Sequence, residues 1–268
     1  MPVQMTLPLV RRDALEAGYH VLHFQAESPL AAEPGHFAML RGAAWGKAPL
    51  LPRPMSLLTG GARPSVLIKV VGEGTRLMAE ASPGSLFSIL APLGRPWRLP
   101  EPNEIPVLVA GGVGVAPLIH LAERLAALGH RPAGDRPAVR ALYGGRRDAD
   151  LPLSDQLEAV GRLEVTTEDG SRGTQGRVTV LLERLLAEHA GTPLRVYCCG
   201  PHGMMAAVAA LAAAAGVACE ASLEAPMGCG YGVCLGCAVA RPGGGYLYTC
   251  VDGPCVSAAD VDWSARVF

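Results

Sequence analysis

The chain has 268 residues, of which 50% are hydrophobic, and it carries a formal net charge of −1. This length suits two domains with a small addition, and the near-neutral charge offers no electrostatic attraction to nucleic acid or to an acidic membrane surface. No basic segment precedes the first apolar residues, and the longest uncharged run, Gly203 to Cys219, is shorter than the roughly 20 residues of a membrane helix. We therefore expect a cytoplasmic protein with neither a signal peptide nor a membrane segment.

Residues 1–100 are predicted to form a small antiparallel β-barrel. Short apolar segments typical of strands are separated there by turns that contain Pro or Gly. These segments are Tyr19–Phe24, Phe37–Leu40, Val66–Val71 and Leu86–Leu90. Short strands at regular spacing favour such a barrel, and Pro96, Pro100 and Pro102 mark a stiff connector after it.

Two motifs in the predicted barrel carry groups that can bind phosphate. In Arg53-Pro54-Met55-Ser56, a guanidinium and a hydroxyl flank a proline that fixes the backbone, so they could reach a diphosphate and the edge of a flavin. The segment from Lys69 to Thr75 ends a strand with a glycine-flanked turn, whose N–H groups and hydroxyl could form an anion-binding concavity. The alternatives are a surface turn for the first motif and a plain hairpin turn for the second.

From Ile105 onwards predicted strands alternate with predicted helices, which indicates a doubly wound parallel α/β domain over residues 101–220. The predicted strands are 107–110, 139–143, 163–167 and 194–198, and the predicted helices are 116–128, 178–189 and 204–215. Ligands of such a sheet bind at the carboxyl ends of its strands.

Several of these strand ends are candidates for contact with a dinucleotide. Gly111-Gly112-Val113-Gly114 joins a strand to a helix, although it does not match G-x-G-x-x-G and a simple tight turn is the alternative. Cys199-Gly200-Pro201 ends another strand, where the thiol could touch a nicotinamide or could simply be buried. Arg146 and Arg147 follow a third strand and are open to two interpretations, a 2′-phosphate site or solvated charges.

The most specific motif lies in the predicted third domain, residues 221–268. Its cysteines have the spacing C-x4-C-x2-C-x12-C, which is that of a plant-type [2Fe–2S] ferredoxin. The candidate ligands are Cys229, Cys234, Cys237 and Cys250. A structural zinc site would favour two C-x2-C pairs, whereas only one is present, and a disulfide framework is not expected in a reduced compartment. Cys255 competes for the place of the fourth ligand, whereas Cys198 and Cys219 are expected to be small core residues.

Taken together, these motifs resemble those of the ferredoxin-NADP reductase superfamily. In chain order they read R-P-M-S, G-E-G-T, A-G-G-V-G-V-A-P-L, Y-C-C-G-P and E-A-P-M-G-C-G-Y-G-V-C-L-G-C, closing with C-V-D-G-P. Within the superfamily they are similar, over essentially the whole chain, to the electron-transfer subunit of NAD-dependent (class 1B) dihydroorotate dehydrogenase. The resemblance implies an FAD-binding barrel, an NAD-binding α/β domain and a C-terminal [2Fe–2S] domain.

The resemblance also implies roles for individual residues. It assigns the cluster to Cys229, Cys234, Cys237 and Cys250, and FAD to Arg53, Pro54, Met55, Ser56, Leu67, Ile68, Lys69, Gly74 and Thr75. From the strand-end motifs, the candidates for NAD(H) are Gly111, Gly112, Gly114, Cys199, Gly200 and Pro201. No catalytic acid or base is expected, and Cys199 is the one candidate for a place beside the nicotinamide. Phe268 is the candidate for stacking on the flavin, by analogy with reductases that end in an aromatic residue.

The implied function is an electron relay from NADH through FAD and the cluster to a partner. That partner would be an FMN-containing catalytic subunit that converts dihydroorotate to orotate in pyrimidine biosynthesis, in a heterotetramer with two copies of each subunit, where net flow runs back towards NAD. The alternatives are a reductase subunit of a hydrogenase, a sulfur reductase or a bifurcating transhydrogenase, a flavin-free ferredoxin-like carrier, and a redox sensor. The charge-free segment 225–240 is predicted to dock on the partner, and its alternative is packing against the chain's own domains. Its large apolar side chains are Met227, Tyr231, Val233 and Leu235.

Overall fold

Six N-terminal strands close into an antiparallel barrel in the computed structural model, which describes residues 1–130 and 139–265. They are β1 (Val3–Ala14), β2 (Tyr19–Phe24), β3 (Phe37–Gly42), β4 (Arg53–Thr59), β5 (Ser65–Lys69) and β6 (Leu86–Leu93). Their order around the barrel is β1-β2-β5-β4-β3-β6, and helix α1 (Glu73–Glu80) connects β5 to β6. The predicted barrel is therefore confirmed.

Apolar side chains fill the barrel. On β6, Phe87, Ile89, Ala91 and Leu93 are buried while the residues between them are more exposed, which is the period-two pattern of a strand with one face in a core. Phe87 meets Phe24 edge to face, with ring centroids 5.4 Å apart. Because side chains occupy the interior, a cofactor has to bind on the outside of the barrel.

The second domain is the predicted α/β domain, and its fold class is also confirmed. Its strands are β7 (Ile105–Gly111), β8 (Arg140–Gly145), β9 (Arg162–Thr167), β10 (Thr174–Gln175), β11 (Leu194–Cys199) and β12 (Ala218–Ser222). Its helices are α2 (Val115–Ala127), α3 (Ser154–Val160), α4 (Val178–Glu188) and α5 (His202–Ala214). The sheet has the order β10-β9-β8-β7-β11-β12-β15, in which β15 (Cys255–Ser257) comes from the C-terminal segment, and every pair is parallel except β12 with β15. Among the described residues no helix is long and apolar enough to cross a membrane.

Three elements of this domain were not predicted from the sequence: β10, which has only two residues, β12 and α3. Strand β12 reads Ala-Cys-Glu-Ala-Ser, which has weak strand propensity and forms because β11 and β15 pair with it on either side. Helix α3 spans only Ser154–Val160, too short for a clear helical period.

The sheet order positions the candidate dinucleotide site. Strand β7 lies between β8 and β11. The strands that follow it in sequence are added first on one side of β7, as β8, β9 and β10, and then on its other side, as β11 and β12. A crevice opens at the carboxyl ends of the strands where the side changes in this way. The glycine loop after β7 and the Cys199-Gly200-Pro201 segment after β11 both lie there.

The barrel and the α/β domain share one continuous core. Tyr19, Val21 and Leu67 on the outer face of the barrel belong to the same buried cluster as Leu118 and Leu121 of α2. This packing holds the barrel strands β2, β4 and β5 against the α/β domain.

The C-terminal segment is anchored to both domains. It contains a hairpin of β13 (Ala238–Ala240) and β14 (Tyr246–Tyr248), followed by β15 (Cys255–Ser257), which adds the seventh strand to the sheet. Val239, Leu247 and Val256 are buried in the α/β core. Sheet pairing and apolar burial therefore hold this segment to the α/β domain.

Candidate functional site

The four candidate cluster ligands are arranged as two pairs. The Cys229 sulfur accepts hydrogen bonds from the backbone N–H groups of Tyr231 and Cys234, both at 3.5 Å. The sulfur atoms of Cys237 and Cys250 lie 3.2 Å apart. The loop thus presents two neighbouring thiols on its outer side and two on its buried side.

This two-plus-two arrangement fits a binuclear cluster. Across the described ranges, no three His, Cys, Asp or Glu side chains converge on the position of one metal ion. A mononuclear zinc site needs four ligands around one ion, whereas each iron of a [2Fe–2S] cluster takes two cysteines. The geometry therefore supports the cluster interpretation over zinc.

The protonation of the thiols differs between the two sides of the loop. Burial acts to raise the pKa of Cys229, but the backbone N–H groups of Cys234, Tyr231 and Val233 outweigh it and lower this pKa to about 6. Burial, with the adjacent Cys237 thiol, raises the pKa of Cys250 to about 12. Metal ligation requires thiolates, so Cys229 is prepared for it and Cys250 has to release a proton.

A close contact seats the loop on the barrel. Gly230 has a φ of +85°, and a Cβ there would lie only 2.5 Å from Met39 Cγ on β3. Cys237 and Cys250 share a buried cluster with Phe37, Met39 and Leu93 of the barrel. The cluster ligands are thereby held against the domain that carries the candidate flavin residues.

Cys255 lies apart from the other candidate ligands. Its side chain is 7% exposed and belongs to the core between the barrel and the α/β domain, with its sulfur 3.9 Å from the Gly35 carbonyl oxygen. Burial raises its pKa well above the usual range. This placement supports Cys250 rather than Cys255 as the fourth ligand. Of the two cysteines expected in the core, Cys198 is fully buried and Cys219 is partly exposed.

The first two flavin motifs meet at the start of α1. The segment predicted as a glycine-flanked turn begins this helix, and the Arg53 guanidinium covers Gly74 so closely that a Cβ there would collide with Arg53 Nε. The first turn of a helix leaves N–H groups without helical partners, and anions bind there. Arg53 donates one hydrogen bond, from Nη1 to the Leu51 carbonyl oxygen at 2.8 Å, and its other N–H groups can bind an anion. These groups form a cradle that suits a diphosphate.

The remaining FAD candidates are less available. Thr75 Oγ1 accepts hydrogen bonds from the N–H groups of Val71 and Gly72 at 3.0 and 3.2 Å and donates to the Gly72 carbonyl, so it organises the turn. Leu67 and Ile68 bury their side chains in two cores, which leaves only their backbone for a cofactor. Pro54, Met55 and Ser56 are half-buried on β4. Phe268 lies outside the described residues.

The fold brings all six NAD(H) candidates together. Strands β7 and β11 pair so that Ala110 lies opposite Cys199. A Cβ on Gly111 would lie 2.6 Å from the Met204 sulfur and 2.9 Å from Pro201 Cδ, and one on Gly114 would strike the Cys199 carbonyl. Burial raises the pKa of the Cys199 thiol and keeps it protonated. The glycines therefore let the loop after β7 pack directly against the Cys199-Gly200-Pro201 segment.

Two residues near this crevice, Tyr19 and Asp150, were missed by the sequence prediction, whereas a third, Tyr143, ends the predicted strand 139–143. Tyr143 donates its hydroxyl to the Gly112 carbonyl at 2.8 Å, and Lys69 Nζ lies 2.8 Å from Asp150 Oδ1 and 3.1 Å from Tyr19 Oη. Tyr143 stands in a strand-end segment that the sequence does single out. No local signal marks Tyr19 or Asp150, because their partners are remote in sequence.

The side chains of Arg146 and Arg147 are exposed, and each lies nearly 4 Å from the same carboxylate. Their Nε atoms are 3.8 and 3.9 Å from Asp150 Oδ2. The loops after β8 and β9 are joined, because the Asp148 N–H donates to Ser171 Oγ at 2.8 Å. The carboxyl edge of the sheet therefore carries a rigid, charged rim.

The cluster loop exposes most of its large apolar side chains. Tyr231, Val233 and Leu235 are 56%, 70% and 49% exposed, whereas Met227 packs against the barrel cluster of Phe37 and Met39. Three of the four side chains predicted to face a partner are thus free to do so.

Comparison with known proteins gives two family matches within the chain. Residues 224–262 match the iron-sulfur cluster binding domain of dihydroorotate dehydrogenase B, and residues 108–210 match an oxidoreductase NAD-binding domain. A probable dihydroorotate dehydrogenase B (NAD(+)), electron transfer subunit, from Methanopyrus kandleri is 38% identical over 87% of this chain and 82% of its own length. The corresponding protein of Caldanaerobacter subterraneus subsp. tengcongensis is 34% identical, with 94% of each chain covered.

Solved structures agree with the fold. A chain of an NADH-dependent reduced ferredoxin-NADP oxidoreductase, described for flavin-based electron bifurcation, superposes with a TM-score of 0.82 at 27% identity, covering 96% of this chain and 90% of its own. The ferredoxin reductase of carbazole 1,9a-dioxygenase shares the fold at 20% identity with a TM-score of 0.68, covering 81% of this chain and 67% of its own.

Proposed function

The chain belongs to the family of dihydroorotate dehydrogenase B electron transfer subunits, and from this premise we propose that it relays electrons between NAD(H), FAD and a [2Fe–2S] cluster. The observation that supports the proposal is that the loop with the two cysteine pairs packs against the barrel, and that Arg53 and Gly74 belong to this same domain. Flavin and cluster residues are thereby held on one rigid body, as a relay requires.

The redox chemistry belongs to the cofactors: FAD, when bound, exchanges a hydride with NAD(H), and the cluster exchanges single electrons. The chain's own residues hold and orient them. Arg53 and the first turn of α1 would bind the FAD diphosphate, the crevice between Gly111–Gly114 and Cys199–Pro201 would receive NAD(H), and the four cysteines would ligate the cluster. The buried Cys199 thiol would pack beside the nicotinamide without exchanging a proton.

The partner in this proposal is the catalytic subunit of dihydroorotate dehydrogenase, carrying FMN, in a heterotetramer with two copies of each subunit. The relatives' designation as an electron transfer subunit supports a partner. The exposed Tyr231, Val233 and Leu235 beside the cluster ligands support docking through the cluster loop, since apolar, charge-depleted surface is typical of interface centres. A cytoplasmic location is part of the proposal, and the eight free cysteines with no disulfide support a reducing compartment.

A direct experiment is reduction of the reconstituted protein by NADH under anaerobic conditions. Absorbance should show bleaching of the flavin, and EPR should then show a reduced [2Fe–2S] signal. With the catalytic subunit added, dihydroorotate should reduce both cofactors without NADH. Protein that binds neither flavin nor cluster, or flavin that stays oxidised with NADH, would refute the relay.

A second candidate function is the reductase subunit of a different assembly. The TM-score of 0.82 at 27% identity to a chain of the bifurcating oxidoreductase favours keeping it. Copurification from the native cell separates the two. A dihydroorotate-oxidising partner supports the first candidate, and a partner that reduces NADP with reduced ferredoxin supports the second.

A further inference from the structure

An ion pair joins the two large domains beside the proposed NAD(H) crevice. Lys69 ends strand β5 of the barrel, and its Nζ lies 2.8 Å from Oδ1 of Asp150 in the α/β domain. The same ammonium lies 3.1 Å from the Tyr19 hydroxyl and 4.5 Å from the centre of its ring. Lys69 of the barrel therefore forms an ion pair with Asp150 of the α/β domain.

The burial of this pair indicates a role in geometry. Asp150 is only 5% exposed, and the Lys69 side chain is three-quarters covered. Withdrawing such charges from water costs about as much as their attraction returns, so a buried pair adds little net stability. The pair instead specifies how the two domains are arranged, because an arrangement that separates the partners leaves a buried charge unpaired.

The surroundings connect the pair to the dinucleotide site. Arg146 and Arg147 approach the second Asp150 oxygen at 3.8 and 3.9 Å. A Cβ on Gly112 would lie 3.2 Å from the Tyr19 hydroxyl, so the pair stands next to the glycine loop. Lys69, Arg146 and Arg147 thus lie around one carboxylate at the carboxyl edge of the sheet, which is where the phosphates of a dinucleotide bind.

We propose that Asp150 is a positioning residue that docks Lys69 of the barrel at the dinucleotide edge and restrains Arg146 and Arg147 beside it. The phosphates of NAD(H) then meet a preassembled cationic rim drawn from both domains, with the barrel already oriented towards the nicotinamide. This inference rests on the proposed function, because it assigns NAD(H) to that edge.

The test measures NAD⁺ binding to the FAD- and cluster-loaded full chain by calorimetry, which does not depend on turnover. Asp150→Asn keeps the size of the side chain but removes its charge, and we expect NAD⁺ to bind about tenfold to hundredfold more weakly, which corresponds to the loss of one charge-assisted contact to phosphate. FAD content should stay at the wild-type level. Asp150→Glu should recover most of the affinity.

Asp148→Asn is the matched control, since it lies in the same loop and breaks an exposed pair with Arg172 inside one domain. It should bind NAD⁺ within about twofold of the wild type, as surface pairs contribute little. If Asp150→Asn does not retain FAD, the double variant with Lys69→Met, which leaves no unpaired buried charge, supplies the measurement and should also bind NAD⁺ weakly.

Four results separate the outcomes. Wild-type affinity in Asp150→Asn, or an equal loss in Asp148→Asn, overturns the role of Asp150. Wild-type affinity in the double variant overturns it as well. Absence of NAD⁺ binding by the wild-type protein would instead refute the proposed function.

Discussion

At the scale of single residues, Cys250 and Cys255 lie in different environments although they are close in sequence. Cys250 lies 3.2 Å from Cys237 at the foot of the cluster loop, while Cys255 is only five positions later in sequence and lies in the interdomain core. The turn of Asp252 to Pro254 and the pairing of β15 with β12 direct the second thiol away.

Cys250→Ser should therefore lose or severely perturb the cluster, and Cys255→Ser should leave it intact. EPR of the reduced proteins gives the readout, with iron and sulfide content as a second measure. A cluster that survives Cys250→Ser but not Cys255→Ser would mean that the ligand assignment is wrong.

Arg53 is the residue expected to hold the FAD diphosphate. Arg53→Ala removes a charge-assisted contact worth about 1.5–3 kcal/mol, which corresponds to about tenfold to hundredfold weaker FAD binding. The dissociation constant can be measured by titrating apoprotein with FAD. Arg76→Ala, which removes a guanidinium on helix α1 that lies in an exposed pair with Glu80, is the control. Equal affinities of Arg53→Ala and the wild type would remove Arg53 from the site.

At the scale of elements, the cluster loop depends on its contact with β3. Gly230 and Gly243 both have positive φ, but a Cβ on Gly230 would meet Met39 whereas one on Gly243 meets nothing within 4 Å. Comparing the same substitution at the two positions therefore distinguishes the cost of backbone strain from the cost of lost loop packing.

Gly230→Ala should combine both penalties, about 1–2 kcal/mol for the left-handed backbone and a further 1–3 kcal/mol for overpacking. Gly243→Ala should show only the first. Urea unfolding measures stability, and iron content measures retention of the cluster. If the two variants are equally stable and equally loaded, the seat on Met39 does not hold the loop.

The outward side of the same loop should decide assembly. Tyr231→Asp and Leu235→Asp place a charge at the centre of the proposed apolar interface, so we expect loss of the complex with the catalytic subunit in gel filtration. NADH oxidation by artificial acceptors that draw from FAD should be spared. Tyr246→Asp, at an equally exposed apolar position on strand β14, is a comparison variant that reports how far the interface extends. Normal assembly of both loop variants would place the interface elsewhere.

At the scale of the whole molecule, the C-terminal segment is fastened by more than its cluster. Strand β15 pairs with β12, and Val239, Leu247 and Val256 are buried in the α/β core. The barrel is in turn packed on α2 through Tyr19, Val21 and related side chains. The three parts therefore form one cooperative body.

Removal of the cluster with a chelator under denaturant-free conditions should leave the fold in place. We expect unchanged far-UV circular dichroism, retained FAD and continued flavin reduction by NADH, together with loss of electron transfer to the catalytic subunit. Release of FAD on chelation would show that the cluster, and not the sheet and its core, maintains the body.

Sequence patterns were sufficient for everything that depends on local spacing. The cysteine spacing, the alternation of strand and helix and the period-two strands predicted the cluster type, the α/β domain and the barrel, because each is written in residues close together in the chain. The same reasoning missed β12, since pairing with β11 and β15 overrides its weak propensity.

Only the tertiary structure decided which residues meet across the domains. Lys69 and Asp150 are 81 positions apart, and Arg53 meets Gly74 only because β4 and α1 fold onto each other. Cys255 competes with Cys250 for the fourth ligand position in the sequence, and the structure places the two thiols in different packing environments. Burial and remote charge pairing arise from chain topology, which no local pattern of residues contains, and they determine which candidate side chains are free to bind a cofactor.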